Sequence, residues 1–333
     1  MADTTYKTFL TRPDWGGTAA DVDIHVEEYE GLIDQGFKVE SIFRSGGLTN
    51  FKSVEGQSNT YRLNRMGGVA VKGRKSGEKL DEQRIVQEKH IISVDTVAYV
   101  RTTGDYADDW TAPDYTAEYS EAHATAHAKA FDQAHVIQLI KAGAWVAPAS
   151  LAASGAFNNG ISLTMTGYTA EAVLPNKAAM IERKHREAVT TFVQRDLSSD
   201  LNGFVTLMRP DIFSMLMEHD KIMNVQFNGG NGNSMTGRRI GELNGMRVME
   251  TPRFPLAAIP AHFLGSAFNV SAAEAKAAFI VFHPKQTLVT VEATGMNVRM
   301  WDDKKEFTNV LDSYNMYNIG IRRGDATAVV FTD

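Results

Sequence analysis

The chain has 333 residues, 43% of them hydrophobic and 22% charged, a composition typical of a soluble globular protein with one large or two ordinary domains. Its formal net charge of −6 argues against a dedicated nucleic-acid binder, which carries a basic face, but permits a protein that encloses nucleic acid. Because the chain has no cysteine, disulfides, thiolate metal sites and cysteine nucleophiles are excluded.

The N-terminal segment does not have the pattern of a signal peptide. Residues 1–17 are polar and rich in threonine, with no apolar segment of the signal-peptide type, and are expected to be extended. No stretch approaches about eighteen consecutive apolar residues, so no membrane span is predicted. From 18 to 43, apolar residues recur in steps of three and four, which predicts one helical face formed by Val22, Val26, Tyr29, Ile33 and Phe37.

A long charged hairpin is predicted next. Residues 45–68 lose the helical period and are rich in Gly, Ser and Asn, whereas residues 69–100 contain two strand-like runs around a charged tip at 73–79. The tip is too polar to pack into the core of its own chain, and a two-stranded hairpin is marginal alone. We therefore expect the hairpin, 69–94, to lie on another molecule. The tip residues expected to make that contact are Lys72, Arg74, Lys75, Gly77, Glu78 and Lys79.

The same segment resembles a phosphate-binding loop only in part. In "GGVAVKGRKS", four residues separate Gly68 from Gly73, but Arg74 stands before Lys75. The motif requires Gly-Lys-Ser/Thr between a strand and a helix, because the backbone amides and the lysine must converge on one phosphate. Since a second strand is predicted to follow here, a charged hairpin tip is the better interpretation.

A helix of about thirty residues is predicted from Pro113 to Gly143, because alanine favours helix, proline suits a first turn and glycine ends a helix. His123 and His127 are four residues apart and could share a metal ion, but His135 lies about 12 Å further along the axis. We therefore expect a helix wall whose histidines meet neighbouring polar groups or a partner subunit, and no metal or other cofactor. A pH-sensitive interface is an open alternative.

The rest of the chain mixes helices and strands without regular alternation, which predicts the α+β class. Residues 144–174 are expected to form a loop with a short strand, 204–219 a strand, a turn and a short helix, and 228–237 a flexible loop. Mostly strands should follow. A helix is predicted over 175–197, with an apolar face formed by Ala179, Ile181, Ala188 and Phe192.

No set of catalytic residues stands out in the sequence. Asp105, Asp108 and Asp109 lack the alternating spacing and central glycine of a calcium loop. No Gly-x-Ser-x-Gly nucleophile elbow occurs, and no pair of carboxylates suggests a tuned acid and base. We expect that the chain is not an enzyme.

In chain order, the polar arm, helix, charged hairpin, very long helix and mixed region resemble the tailed-phage major capsid proteins of the Hong Kong 97 type, in particular the T-seven-like podovirus branch. Residues 76–100 resemble the family's Gly-Glu-x-Leu-Asp segment in the extended loop, and 114–143 resemble its spine helix. Segment 204–219 resembles the family's strand and helix in the axial domain, 240–255 its Gly-Phe-x-Val-x-x-x-Pro-type strand and 317–331 its closing Gly-Leu-Arg-Pro-x-x-Ala-x-Val-Val segment. Arg323-Gly324-Asp325 departs from the family, which usually has an Arg-Pro pair there.

The resemblance implies a domain organisation. It divides the chain into an N-terminal arm (1–47), an extended hairpin loop (48–94), a peripheral domain with the spine helix (95–148 and 284–320) and an axial domain (149–283 and 321–333). The histidines of the long helix then belong to the spine helix.

The resemblance also implies a function: self-assembly into hexamers and pentamers of an icosahedral shell that encloses double-stranded DNA. The protein would be assembled in the cytoplasm of a bacterial host and reside in the virion, with no membrane. Only about twenty residues precede the first predicted helix, whereas relatives that carry their own scaffold have a long removable region there. We therefore expect a separate scaffolding protein and no maturation cleavage, with a portal protein as a further partner and a decoration protein as a candidate.

Two alternatives stay open at this point. An encapsulin-like shell of a cellular nanocompartment shares the fold but encloses enzymes, so the DNA content of purified particles would distinguish it. An unrelated hydrolase or nucleotide-binding enzyme depends on the incomplete motifs described above.

Overall fold

The computed structural model describes residues 37, 41–54, 56, 58–80, 82–105, 116–197, 203–219 and 241–333. The helices are α1 (Ile42–Ser45), α2 (Thr116–Gly143), α3 (Ala149–Ala153), α4 (Leu174–Gln194), α5 (Pro210–Leu216) and α6 (Pro284–Thr287). The strands are β1 (Asn50–Ser53), β2 (Thr60–Met66), β3 (Gln87–Ser93), β4 (Val97–Asp105), β5 (Ile161–Met165), β6 (Val205–Met208), β7 (Glu242–Leu243), β8 (Met246–Glu250), β9 (Ala277–Phe282), β10 (Leu288–Asp303), β11 (Thr308–Ile321) and β12 (Thr327–Thr332).

These elements form two compact units, and α2, β10 and β11 contribute to both. The first unit takes the described residues of Met1–Thr60, Ser93–Asp132 and Val291–Asn318. The second takes those of Tyr61–Ile92, Gln133–Thr290 and Ile319–Asp333. The predicted arm, loop, peripheral and axial boundaries stay predictions. None of the helices in the described ranges is both long and apolar enough to cross a bilayer.

The first unit is built on a four-stranded sheet in the order β1-β10-β11-β4. β11 runs antiparallel to β4, with Tyr314 opposite Tyr99. An aromatic cluster lies beside the sheet: the ring of Phe131 in α2 lies 5.4 Å from Phe37 and 4.9 Å from Tyr317. Burial of such large rings is a main source of folding free energy in this unit.

A buried carboxylate joins α1 to α2 within the first unit. Asp132 accepts hydrogen bonds from Ser41 Oγ at 2.6 Å and from the backbone amides of Ile42 and Phe43 at 2.9 and 3.3 Å. Ser41 Oγ in turn accepts from the amide of Arg44, as a helix N-cap does. The first turn of α1 is thus held by one side chain of the long helix.

The second unit is built on a six-stranded sheet in the order β5-β12-β9-β6-β8-β7. β9 is buried along its whole length and is antiparallel to both β12 and β6, which fits its continuous apolar sequence. The hydrophobic core of the second unit also includes Ile181 and Phe192 from α4 and Phe213 from α5. Asn244 and Gly245, both with positive φ, form the tight turn between β7 and β8.

The α+β class is confirmed, as are the long helix ending at Gly143 and the strand, turn and helix over 204–219. A Cβ atom on Gly143 would lie 2.8 Å from Val329 Cβ, so close packing also requires glycine there.

The predicted apolar face of α4 needs a correction, because Ala178 is buried and Ala179 is exposed. The helix predicted over 18–43 lies mostly outside the described residues, although Phe37 is helical and buried. The loop predicted over 228–237 lies wholly outside them.

The predicted hairpin needs a further correction. Its two paired strands are β2 and β3, so the first strand lies in the segment 45–68, outside the predicted hairpin, and the described residues of 69–86 have no strand. β2 was not predicted because its buried face combines Leu63 with Arg65. An arginine at a buried position interrupts the alternation of apolar and polar residues that predicts a strand. The helix α3 lies in a segment where only a loop and a strand were expected.

Candidate functional site

The segment that joins β2 to β3, residues 67–86, is the candidate site and is named the finger here. Every described residue from 69 to 85 is exposed to solvent. Its exposed side chains include four large apolar ones, Val69, Val71, Leu80 and Ile85. Apolar side chains concentrated on an exposed, extended segment indicate a surface that another molecule covers.

The predicted tip residues lie together at the turn of the finger. Gly77 has φ +92°, a conformation that favours glycine. Glu78 organises the turn: its carboxylate accepts from the amide of Lys75 at 3.0 Å, and its carbonyl accepts from Arg74 Nε at 2.5 Å. The basic side chains of Lys72, Arg74, Lys75 and Lys79, in and beside this turn, are all exposed.

The root of the finger is fixed by a buried arginine that sequence reasoning missed. Arg65 donates from Nε to the carbonyl of Arg322 at 2.9 Å and from Nη2 to the carbonyl of Ile321 at 2.7 Å. Its guanidinium lies 3.7 Å from a carboxylate oxygen of Glu88 in β3 and 5.4 Å from the ring centre of Trp145. Burial lowers the pKa of His90 in the same hairpin, and the nearby positive charge of Arg65 lowers it further. The negative charge of Glu88 raises this pKa but does not cancel the decrease.

Two glycines complete the root. The amide of Gly67 donates to the carbonyl of Val86 at 2.7 Å, and that of Gly68 donates to Ser154 Oγ at 3.2 Å. A Cβ atom on Gly67 would lie 2.8 Å from Ser154 Oγ, so this approach excludes larger residues unless the backbone shifts. The chain thus anchors both ends of the finger firmly and leaves the segment between them exposed.

The histidines of α2 meet polar groups, as the sequence predicted. His123 Nδ1 and His127 Nε2 lie 2.8 and 3.0 Å from the same hydroxyl, Ser313 Oγ of β11. His135 Nε2 lies 2.7 Å from Thr290 Oγ1. Within the described ranges, no three His, Asp or Glu side chains are placed to hold a metal ion. The geometry therefore gives these histidines a role in packing.

One of these buried histidines, His127, should make folding stability depend on pH. Burial lowers the pKa of His127 to about 4, with a further decrease from His123, while a bond to the Ser313 backbone opposes the shift. Between pH 6.5 and 4 the unfolded chain then binds more protons than the folded one, so the free energy of unfolding should fall as pH falls through this window. The loss should reach about 3 kcal/mol.

Urea unfolding at pH 7.5 and pH 4.5 measures this loss for the wild type and for His127→Gln. The variant should lose stability at pH 7.5 and show a smaller difference between the two pH values. An unchanged difference would contradict the assignment. His185→Gln is a second test, because burial also lowers the pKa of His185, on α4, to about 4.

Comparisons with known proteins identify structural neighbours. No family model and no curated protein sequence matches the chain. A chain from the mature capsid of bacteriophage PhiM1 matches with 42% identity over 99% of both chains and a TM-score of 0.79. The capsid of cyanophage P-SCSP1u (14% identity, 99% and 94% covered, TM-score 0.74) and a virus-like particle from Pyrococcus furiosus (10%, 92% and 99%, 0.54) share the fold alone.

Proposed function

Because the chain belongs to the major capsid proteins of tailed bacteriophages, which have the Hong Kong 97-type fold, we propose that it assembles as hexamers and pentamers into an icosahedral shell enclosing double-stranded DNA. The observation that carries this proposal is the 42% identity to a mature-capsid subunit across 99% of both chains. The protein is a structural component of the virion. Assembly in the bacterial cytoplasm, a podovirus parentage and the need for a scaffolding protein and a portal protein belong to the same proposal.

The finger supports self-assembly, because its described residues expose apolar and basic side chains to solvent. We infer that the tip residues Lys72, Arg74, Lys75, Gly77, Glu78 and Lys79 contact a neighbouring subunit. A specific interface buries on the order of 1,600 Å². Since each subunit of a closed shell repeats several such contacts, modest free energies per contact add up to a durable particle.

Expression with the scaffolding protein of the same phage genome tests the proposal. Electron microscopy should show closed shells with fivefold and sixfold capsomers. Limited proteolysis should cut residues 69–85 quickly in free subunits and slowly in shells, because exposed extended segments are preferred cleavage sites. A subunit that stays monomeric at every concentration and salt tested, with the scaffolding protein present, would contradict the proposal.

An encapsulin-like nanocompartment is the alternative. The similarity to the virus-like particle from Pyrococcus furiosus, at 10% identity and a TM-score of 0.54, supports the shared fold and no particular cargo. Particles purified from infected cells should contain DNA if the capsid proposal is right, and packaged enzyme without DNA if the alternative is right.

A further inference from the structure

The root of the finger rests on two connecting segments of the second unit. One segment, residues 144–158, follows α2, and the other, residues 321–325, leads from β11 towards β12. The two segments together are named the platform. Arg65 of β2 donates to the carbonyls of Ile321 and Arg322, both in the second segment. The finger is therefore attached to the platform through main-chain atoms, which move only if the segment itself moves.

The two segments of the platform are fixed to each other by a buried ion pair. Arg323 Nε donates to Asp325 Oδ1 at 2.8 Å, and its Nη2 donates to the carbonyl of Ala156 at 2.7 Å. The other oxygen of the same carboxylate, which is fully buried, accepts from the amide of Asn158 at 3.1 Å. Arg323 and Asp325 belong to the Arg-Gly-Asp sequence by which this chain departs from the family, so that departure builds the platform.

An indole ring completes the platform under the arginine of the finger root. A Cβ atom on Gly324 would lie 2.6 Å from Trp145 Cβ, so the indole packs directly against the backbone there. The guanidinium of Arg65 lies 5.4 Å from the centre of that ring. A guanidinium over an aromatic face is held by the ring quadrupole as well as by its hydrogen bonds. Arg65 thus contacts both segments of the platform.

The second strand of the hairpin is held as well. The carboxylate of Glu88 in β3 lies 3.7 Å from the guanidinium of Arg65. Ile92, at the other end of β3, packs so closely that a Cβ atom on Gly320 would lie 2.6 Å from its Cγ1. Because β2 and β3 are paired with each other and each is fixed separately, the root of the finger has one defined direction.

Arg65 contributes orientation more than stability. Its side chain is only 5% exposed, and burial lowers its pKa against the charge of Glu88. Burying a charge is costly, and apolar residues in place of a buried ion pair often keep or raise stability. What an apolar side chain lacks is the planar set of donors that binds two successive carbonyls in one geometry.

We propose that Arg65 and the platform are positioning residues for assembly: they fix the direction in which the finger leaves its subunit, and this direction sets the curvature of the shell. The inference rests on the proposed self-assembly and adds that side chains buried within the subunit control its geometry. At about 3.3 Å per residue the finger reaches about 30 Å, so a tilt of about 10° at the root would displace its tip by about 5 Å. A repeated contact closes on itself only if its angle is constant.

A distance measurement on the free subunit tests the role of Arg65, because the chain has no cysteine of its own. Spin labels at Val71→Cys and Val193→Cys, both exposed and both in the second unit, report the direction of the finger relative to α4 by double electron–electron resonance. With Arg65→Lys added, the population of other directions should rise about tenfold, because lysine cannot replace both hydrogen bonds of the guanidinium.

Arg209→Lys is the matched control. Arg209 also donates to a carboxylate and a carbonyl of the second unit, those of Asp211 and Ala277, but outside the finger and the platform. It should leave the distance distribution unchanged. Assembled with the scaffolding protein, Arg65→Lys should give open sheets or shells of several diameters in electron micrographs, whereas Arg209→Lys should give shells of the wild-type diameter.

An unchanged distance distribution in Arg65→Lys, or closed shells of the wild-type diameter, would overturn the inference and leave the proposed function intact. A lower yield of shells with an unchanged diameter would overturn it too, since a loss of stability alone predicts that result. So would equal effects of Arg65→Lys and Arg209→Lys. Should Arg65→Lys not fold, Trp145→Phe decides by the same two measurements, because it changes the ring under the guanidinium. Failure of the wild type to form shells would instead overturn the proposed function.

Discussion

Particles should fail to form when Arg74 and Lys75 are both replaced by glutamate, while the free subunit stays folded. Both side chains are exposed, and Lys75 meets Glu78 through its backbone amide, which the substitution keeps. The folded subunit loses mainly the bond from Arg74 to the carbonyl of Glu78. In an interface, reversed charge costs several kcal/mol per contact, and the shell repeats that contact in every subunit.

Sedimentation and electron microscopy measure particle yield, and circular dichroism and urea unfolding measure folding of the free subunit. The matched control is Arg183→Glu with Arg247→Glu, which makes the same change in net charge at two exposed positions outside the finger. The control should assemble. Normal particles from the finger variant would show that the tip is not an essential contact.

Elements with a regular apolar pattern were predictable from the sequence. The long helix ending at Gly143, the strand and helix around Pro210 and the apolar strand β9 all follow from period, capping and breaker residues. The exposure of the finger tip was predictable from its charged residues alone. These features depend on neighbours in sequence, which is why a single chain reveals them.

Elements that bury polar residues were not predictable. β2 was missed because Arg65 is buried by binding two carbonyls more than 250 residues away. β11 has no apolar alternation that marks it as a strand, because Asp312, Ser313 and Asn315 resemble a polar surface, although all three are buried. Such residues become favourable only when distant groups satisfy their hydrogen bonds. The sequence of one chain does not identify those groups.

A similar buried group makes Asp132→Ala a strongly destabilising change in the first unit. Asp132 is 1% exposed and accepts hydrogen bonds from a hydroxyl and two backbone amides at the start of α1. Alanine would leave those donors without their acceptor in a region that water does not reach. We expect the free energy of unfolding to fall by about 3 kcal/mol.

Urea unfolding with two probes measures this loss, and Asp132→Asn should fall between the alanine variant and the wild type because the amide keeps one acceptor oxygen. Asp95→Ala is the matched control, since Asp95 also accepts a side-chain hydrogen bond, from Asn59 at 3.1 Å, but at an exposed site. It should change stability by less than about 0.5 kcal/mol. Equal losses for Asp132→Ala and Asp95→Ala would show that the carboxylate does not hold α1 in place. A loss confined to Asp132 would establish that this buried acceptor positions the segment before β1, independently of any contact between subunits.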